Sequence, residues 1–294
     1  MNWTSELLTV ALLLASAGIY ATGARNAWQQ AGSGSGVRWL HAGAFYGGLA
    51  ALAGALISPL ARVSDYLFSA HMTQHEILML VAAPFLVMGR PLLAFLWAVP
   101  QKWRPDVARA FRRPSVLRVW QILTTPLWVF IVHGLALWMW HVPALFEWAL
   151  HHDGIHALQH ISFVATAALF WWGMVEGRYG RAGYGVGVLY VFLTALHSTI
   201  LGALLTVAPT TWYETYELTA VQRRVDALAD QQLAGLVMWV PSGVIFIVIG
   251  LALVAAWMGE SERRVLLGST GTATAGGARR GASRGGSAPA GNLR

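Results

Sequence analysis

Two histidine pairs, His71 with His75 and His156 with His160, are the residues whose type and spacing could do chemistry in this 294-residue chain. Side chains four apart stand on one face of a helix, so each pair forms a chelating fork if its segment is helical. Imidazole binds zinc, copper, iron and nickel, whereas thioether selects copper(I). Met72 lies beside His71, Met79 follows one turn inward of His75, and Met139 stands two residues before His141. Copper is therefore the best single match, with zinc and haem left open; methionine on an apolar helix is also ordinary packing. The chain has no cysteine, which excludes thiolate metal sites, disulfides and cysteine nucleophiles. Any metal must be held by His, Met or carboxylate.

The elements that position these residues are membrane helices. The chain is 56% hydrophobic and only 11% charged, against about 25% charged in an ordinary soluble domain. Crossing a bilayer takes about 20 apolar residues, and seven runs qualify: Trp3–Gly23, Leu40–Leu60, Tyr66–Met88, Leu123–Trp140, Ile155–Val175, Val186–Leu205 and Leu233–Met258. The expected fold is an all-α polytopic bundle of seven transmembrane helices over residues 1–260. The start, Met-Asn-Trp-Thr-Ser-Glu, lacks the basic n-region of a secretory signal peptide, so the first run reads as a retained span. Leu92–Val99 lies between Pro91 and Pro100 and is too short to span, which places it at the interface. Asp106–Arg113 reads as a short basic surface helix, and 261–294 as a disordered basic tail, Gly-, Ala-, Ser- and Arg-rich from Ser269 onward.

Charge orients the bundle. Two Lys or Arg fall in the first loop, seven between spans three and four, two between five and six, and six after span seven, seventeen in all. The other side has three, Arg62, Arg223 and Arg224. The positive-inside rule puts the rich side in the cytoplasm, with the N-terminus outside and the C-terminus inside. This distribution, and not nucleic-acid binding, accounts for the net charge of +7. Nine of the ten histidines then fall on the outer half or in its loops, and only His41 lies near the inner surface. From the helical rise, His75, His133, His160 and His197 sit roughly 10–15 Å below the outer surface, with His71, His141 and His156 in a shallower tier. Ionisable residues at such depth usually face the bundle interior and mark a site.

The segments FSAHMTQHEILMLVAAPFLVMGRP, LWMWHVPALFEWAL, HALQHISFVATAALFWW, LHSTILGALLT and DQQLAGLVMWVP run in order from Phe68 to Pro241. Together they resemble the multi-spanning CtaG family of cytochrome c oxidase assembly factors. The resemblance implies a protein of the bacterial plasma membrane that works with cytochrome c oxidase subunits, and with other assembly factors, to make an active haem–copper oxidase. It implies metal handling by His71, His75, His141, His156, His160, His197 and Asp230. An unrelated single-span copper chaperone shares the family's name but works through cysteines, which this chain lacks.

Three other classes compete. A zinc hydrolase would use three histidines and an open position for water, with Glu76 or Asp230 as its acid or base. A haem-binding electron carrier would use His at matched depth on facing helices. A scaffold would use the histidines only to pack helices. His133 and Met72 join the candidate ligands at lower rank. Asp230 reads first as the N-cap of span seven, with a ligand role as the alternative.

Overall fold

The computed structural model describes residues 3–32, 36–175 and 183–282. These residues form fourteen α-helices and one π-helical segment, with no strand among them. The helices are α1 (Trp3–Ala31), α2 (Trp39–Leu56), α3 (Pro59–Val63), α4 (Phe68–Glu76), α5 (Ala83–Met88), α6 (Pro91–Ala98) and α7 (Arg104–Phe111). They continue as α8 (Pro114–Leu123), α9 (Pro126–His141), α10 (Pro143–His151), α11 (Asp153–Val175), α12 (Tyr184–Val207), α13 (Glu214–Arg223) and α14 (Ala227–Ala282). The π segment, Ile77–Ala82, joins α4 to α5.

Five stretches are long and apolar enough to cross a membrane, and two bent pairs raise the number to seven. The bends are the main departure from seven straight spans. The third span, Phe68–Met88, turns by 52° into α6, and α8 turns by 59° into α9. Proline causes both: it restricts the preceding residue and cannot donate a backbone hydrogen bond. Pro91 follows Arg90, which sits at a left-handed φ of 50°, and Pro126 follows Thr125 in extended conformation. The Leu92–Val99 run is thus a helix packed against α1. Tyr20 Oη donates to the Gly89 carbonyl at 2.8 Å, and Asn26 Nδ2 donates to that of Trp97 at 3.0 Å. The expected surface helix near 106–113 is α7, with no buried residue. Of the expected tail, 261–294, the backbone is helical to Ala282 and residues 283–294 lie outside the described residues. The loop carrying Arg178 and Arg181 lies outside them as well.

The most extensive helix pairing joins α12 to α14, and small residues make it possible. A Cβ at Gly235 would lie 2.5 Å from the Gly202 carbonyl oxygen and 2.6 Å from the Thr206 nitrogen. Both are backbone atoms, so the helices would have to move apart. Close backbone approach is how membrane helices pack where no hydrophobic effect drives them together. Gly235→Ala is expected to destabilise the bundle by about 1–3 kcal/mol, the usual range for overpacking. A lower thermal midpoint in detergent would show it, and an unchanged midpoint would contradict the packing.

Candidate metal centre

The helix that carries His71 and His75 is anchored from across the bundle. The first backbone N–H groups of a helix have no partner within it, and at α4 the Asp230 carboxylate on α14 takes them. Phe68 N donates to Asp230 Oδ2 at 2.7 Å, Ser69 N lies 3.4 Å from both oxygens, and the Ser69 hydroxyl also donates to Oδ1. A negative group here is favoured by the helix dipole too. Span seven is capped instead by Asp226, whose Oδ1 accepts from Leu228 N at 3.0 Å and Ala229 N at 3.1 Å. The expected cap at Asp230 is therefore real but serves another helix. Gln74, on the same turns of α4, donates to the Ala55 carbonyl of α2 at 2.8 Å.

Held this way, α4 turns both histidines inward, each only 1% exposed. The facing helix α11 supplies the second pair. One ring nitrogen from each of His71, His75, His156 and His160 lies within 4.8 Å of the other three. The rings close a circuit, with centroids 4.4 Å apart for His71–His75, 5.2 Å for His75–His160, 4.3 Å for His160–His156 and 5.2 Å for His156–His71. Buried polar atoms are nearly always hydrogen-bonded. Here His71 Nε2, both nitrogens of His75, His156 Nε2 and His160 Nε2 are buried with no hydrogen-bond partner. Four orphaned imidazole nitrogens around one point are a donor set for a cation. Metal–nitrogen bonds of about 2.0–2.1 Å would need the nitrogens to close to about 3.3 Å for a tetrahedral ion.

One hydrogen bond sets the tautomer of His71. Tyr216 Oη lies 2.8 Å from the Ser64 carbonyl and 2.9 Å from His71 Nδ1. A carbonyl only accepts, so the hydroxyl proton goes to Ser64, and His71 Nδ1–H donates to Tyr216. Nε2 is then left with its lone pair toward the other rings. This is the arrangement that orients histidine ligands in metal sites.

Tyr216 belongs to α13, which the chain staples down. Glu147 on α10 accepts from Thr215 N at 3.1 Å and from the Thr215 hydroxyl, while Tyr213 Oη donates to the His141 carbonyl at 2.9 Å. Gln231 accepts from Trp212 N at 2.7 Å and donates to the Thr210 carbonyl at 3.1 Å. Phe68, Phe146, Tyr213 and Tyr216 pack ring on ring over this end of the site, with Phe146 and Tyr213 centroids 4.2 Å apart. Burial, helped by nearby carboxylates, pushes the hydroxyls of Tyr213 and Tyr216 up, so both stay protonated donors.

The other candidates fall elsewhere. His141 packs near Phe146 and Phe163, rings that also touch His71 and His75, but stands outside the quartet. Its Nδ1–H donates to the Leu137 carbonyl at 2.7 Å, leaving a buried, unpartnered Nε2. His133 and His197 form a separate pair on α9 and α12, their rings 6.1 Å apart. Met72 is fully buried in the apolar cluster that includes Phe68, Phe146 and Leu205. The two depth tiers expected from helical rise thus regroup: the quartet takes members of both, because each i, i+4 pair runs along the helix axis.

The capping carboxylate carries a prediction. Asp230→Ala should cost about 1–2 kcal/mol, the range for losing a cap, and weaken metal binding without removing a ligand. Thermal midpoint and metal affinity measured together would show both falling, and an unchanged pair would show that α4 holds its place unaided.

A family described as cytochrome c oxidase caa3 assembly factor (Caa3_CtaG) matches residues 18–260. Two uncharacterized proteins, one from Mycobacterium bovis and one from Mycobacterium tuberculosis, are each 26% identical over 204 residues. The alignment takes in 67% of this chain but 31% of each relative, so the chain spans about a third of the length of the curated relatives it matches. No solved structure matches.

Proposed function

The chain belongs to the cytochrome c oxidase caa3 assembly factor family, and on that premise we propose that it handles copper for the oxidase through the quartet of His71, His75, His156 and His160. The observation that carries this reading is the convergence of four imidazoles from two helices, each offering a ring nitrogen within 4.8 Å of the others and each keeping a buried nitrogen without a partner. Copper is the metal because it suits imidazole and is what a haem–copper oxidase must acquire. In this reading the protein is a carrier, not an enzyme: it binds the ion as cargo and releases it to oxidase subunits in the same bacterial plasma membrane. The charge split of seventeen to three supports a quartet that faces the outer side. His141, buried beside the rings that flank the quartet, is a further ligand available as the ion moves.

The zinc-hydrolase reading is weaker. It needs an acid or base beside the metal, and its two candidates are placed otherwise. Asp230 is engaged at the first turn of α4, and Glu76 lines a separate cavity.

The test is the copper-to-haem ratio of oxidase from membranes lacking this protein. A lowered ratio that recovers in part with added copper supports delivery. A normal ratio with less oxidase protein would instead support a scaffold. Orientation is checked by single cysteines at Arg178 and Gly154: the first should be labelled only from the cytoplasmic side and the second only from outside.

A further inference from the structure

Beyond His75 along the third span lies a second small chamber that the quartet does not use. It is a partly open cavity of about 30 Å³ with a mostly apolar wall, in which Glu76, Met79, His133, Thr194, Met238 and Ser242 stand beside Leu80, Leu137 and Phe246. A water needs roughly 10–15 Å³, so the space admits one ion with one ligand water, or two waters. The π segment begins immediately after Glu76, and such segments are frequent at functional sites. The Met79 carbonyl within it accepts from Trp171 Nε1 at 2.9 Å.

The lining atoms are short of partners. Glu76 Oε2 and Thr194 Oγ1 are both buried without a hydrogen bond. His133 Nδ1 lies 3.0 Å from Thr166 Oγ1, whose own proton goes to the Ser162 carbonyl at 2.8 Å. His133 Nδ1 therefore carries a proton, and Nε2 keeps a free lone pair. Ser242 donates to the Met238 carbonyl at 2.5 Å and retains its oxygen lone pairs. Residues bearing a carboxylate, an imidazole, hydroxyls and two thioethers thus line one space, its two methionines also packing in the apolar core. Thioether sulfur selects copper(I) over harder ions. Charge points the same way. An ionised carboxylate in a dry interior is costly unless paired, and a monovalent ion neutralises one carboxylate while a divalent ion leaves a net charge.

We propose that this chamber is a second metal station, in which Met79, Met238, His133 and Glu76 bind one cuprous ion. The identity of the ion rests on the copper reading above, but its ligands are distinct from the quartet and bind independently of it. The ion would pass between the two stations by ligand exchange along the His75–Met79 stretch, with no change of oxidation state.

The experiment is an anaerobic copper(I) titration of the purified full chain against a chromogenic chelator, with X-ray absorption at the copper edge. The wild type should bind two ions and show sulfur in the copper coordination sphere. The M79L/M238L variant conserves volume and should bind one ion, with the sulfur signal gone. E76Q has the shape of the neutral acid and should weaken the second ion by about 100-fold or more, as when a buried ion pair loses one partner. H156A/H160A should lose the other ion and keep the sulfur signal. Two ions and unchanged spectra in M79L/M238L would overturn the proposal, as would an E76Q protein with wild-type affinity, the mark of a water-filled chamber around a neutral acid. If only the sulfur-bound ion were found in the wild type, the quartet reading would fail and the chamber would stand.

Discussion

Membranes carrying His71→Ala with His75→Ala are expected to hold normal amounts of the protein but oxidase with a reduced copper-to-haem ratio and reduced activity. Accumulation follows from how α4 is held. Its first turn is fixed by Asp230, Phe68 is locked among aromatic rings, and the apolar stretch from Ile77 to Met88 is untouched. Removing a buried ring leaves a void and lost contacts, but here it also removes three nitrogens that have no partner without metal. An unsatisfied buried polar group costs about 1–3 kcal/mol, so its loss offsets part of the cavity term. The functional loss has no such compensation. Two of four ligands are gone, and the remaining pair on α11 cannot enclose an ion alone. Added copper should restore part of the activity, since mass action can bypass a lost delivery route. The comparison is wild-type, double-variant and deletion strains, scored for oxidase activity, copper and haem. Fully metallated oxidase beside normal levels of the double variant would leave these histidines a packing role only.

Copper affinity is expected to fall steeply with acid, and the slope should count the ligands. A protonated imidazole cannot bind metal, and its unperturbed pKa is about 6.5. Well below that value, each ligand contributes up to about tenfold weaker binding per pH unit. Where the rings take up protons, the slope for four of them approaches about four decades per pH unit, against about two for a pair. The sign is fixed: acid releases the ion and alkali retains it. Titrations of the purified protein at several pH values would measure the slope. The H160A variant, which keeps three of the rings, should show about three quarters of it, and equal slopes would mean that His160 does not bind.

The apolar runs and the i, i+4 histidine forks are visible in the sequence because they depend only on local spacing and composition. The short run between Pro91 and Pro100 marks the first bend, whereas the bend at Pro126 falls inside the run Leu123–Trp140, and both angles depend on what each half-helix packs against, as α6 does on α1. Asp230 shows where local reasoning stops. An acid near a helix start reads as that helix's cap, yet the nearest open N–H groups in space belong to α4, 161 residues away along the chain. Tyr216, Tyr213 and Glu147 carry no local mark in the sequence. Their roles arise from a connecting helix folding back over the site, and no periodicity marks such a contact. The histidines themselves divide unevenly. Four of the six leading candidates converge, while His141 and His197 stand outside the group. Depth follows from position in a span; azimuth depends on the neighbours. Met79, which by sequence fits either a thioether ligand or ordinary packing, lines the same cavity as Met238 from another helix.

The most direct measurement is copper analysis of the purified chain beside a variant in which His71, His75, His156 and His160 are all alanine. Both samples would be loaded near neutral pH and freed of loose metal. The quartet account predicts one equivalent of copper that the wild type holds and the variant lacks, in addition to any ion held at the Met79 and Met238 chamber. Equal copper in the two samples, with both eluting as folded protein, would contradict it.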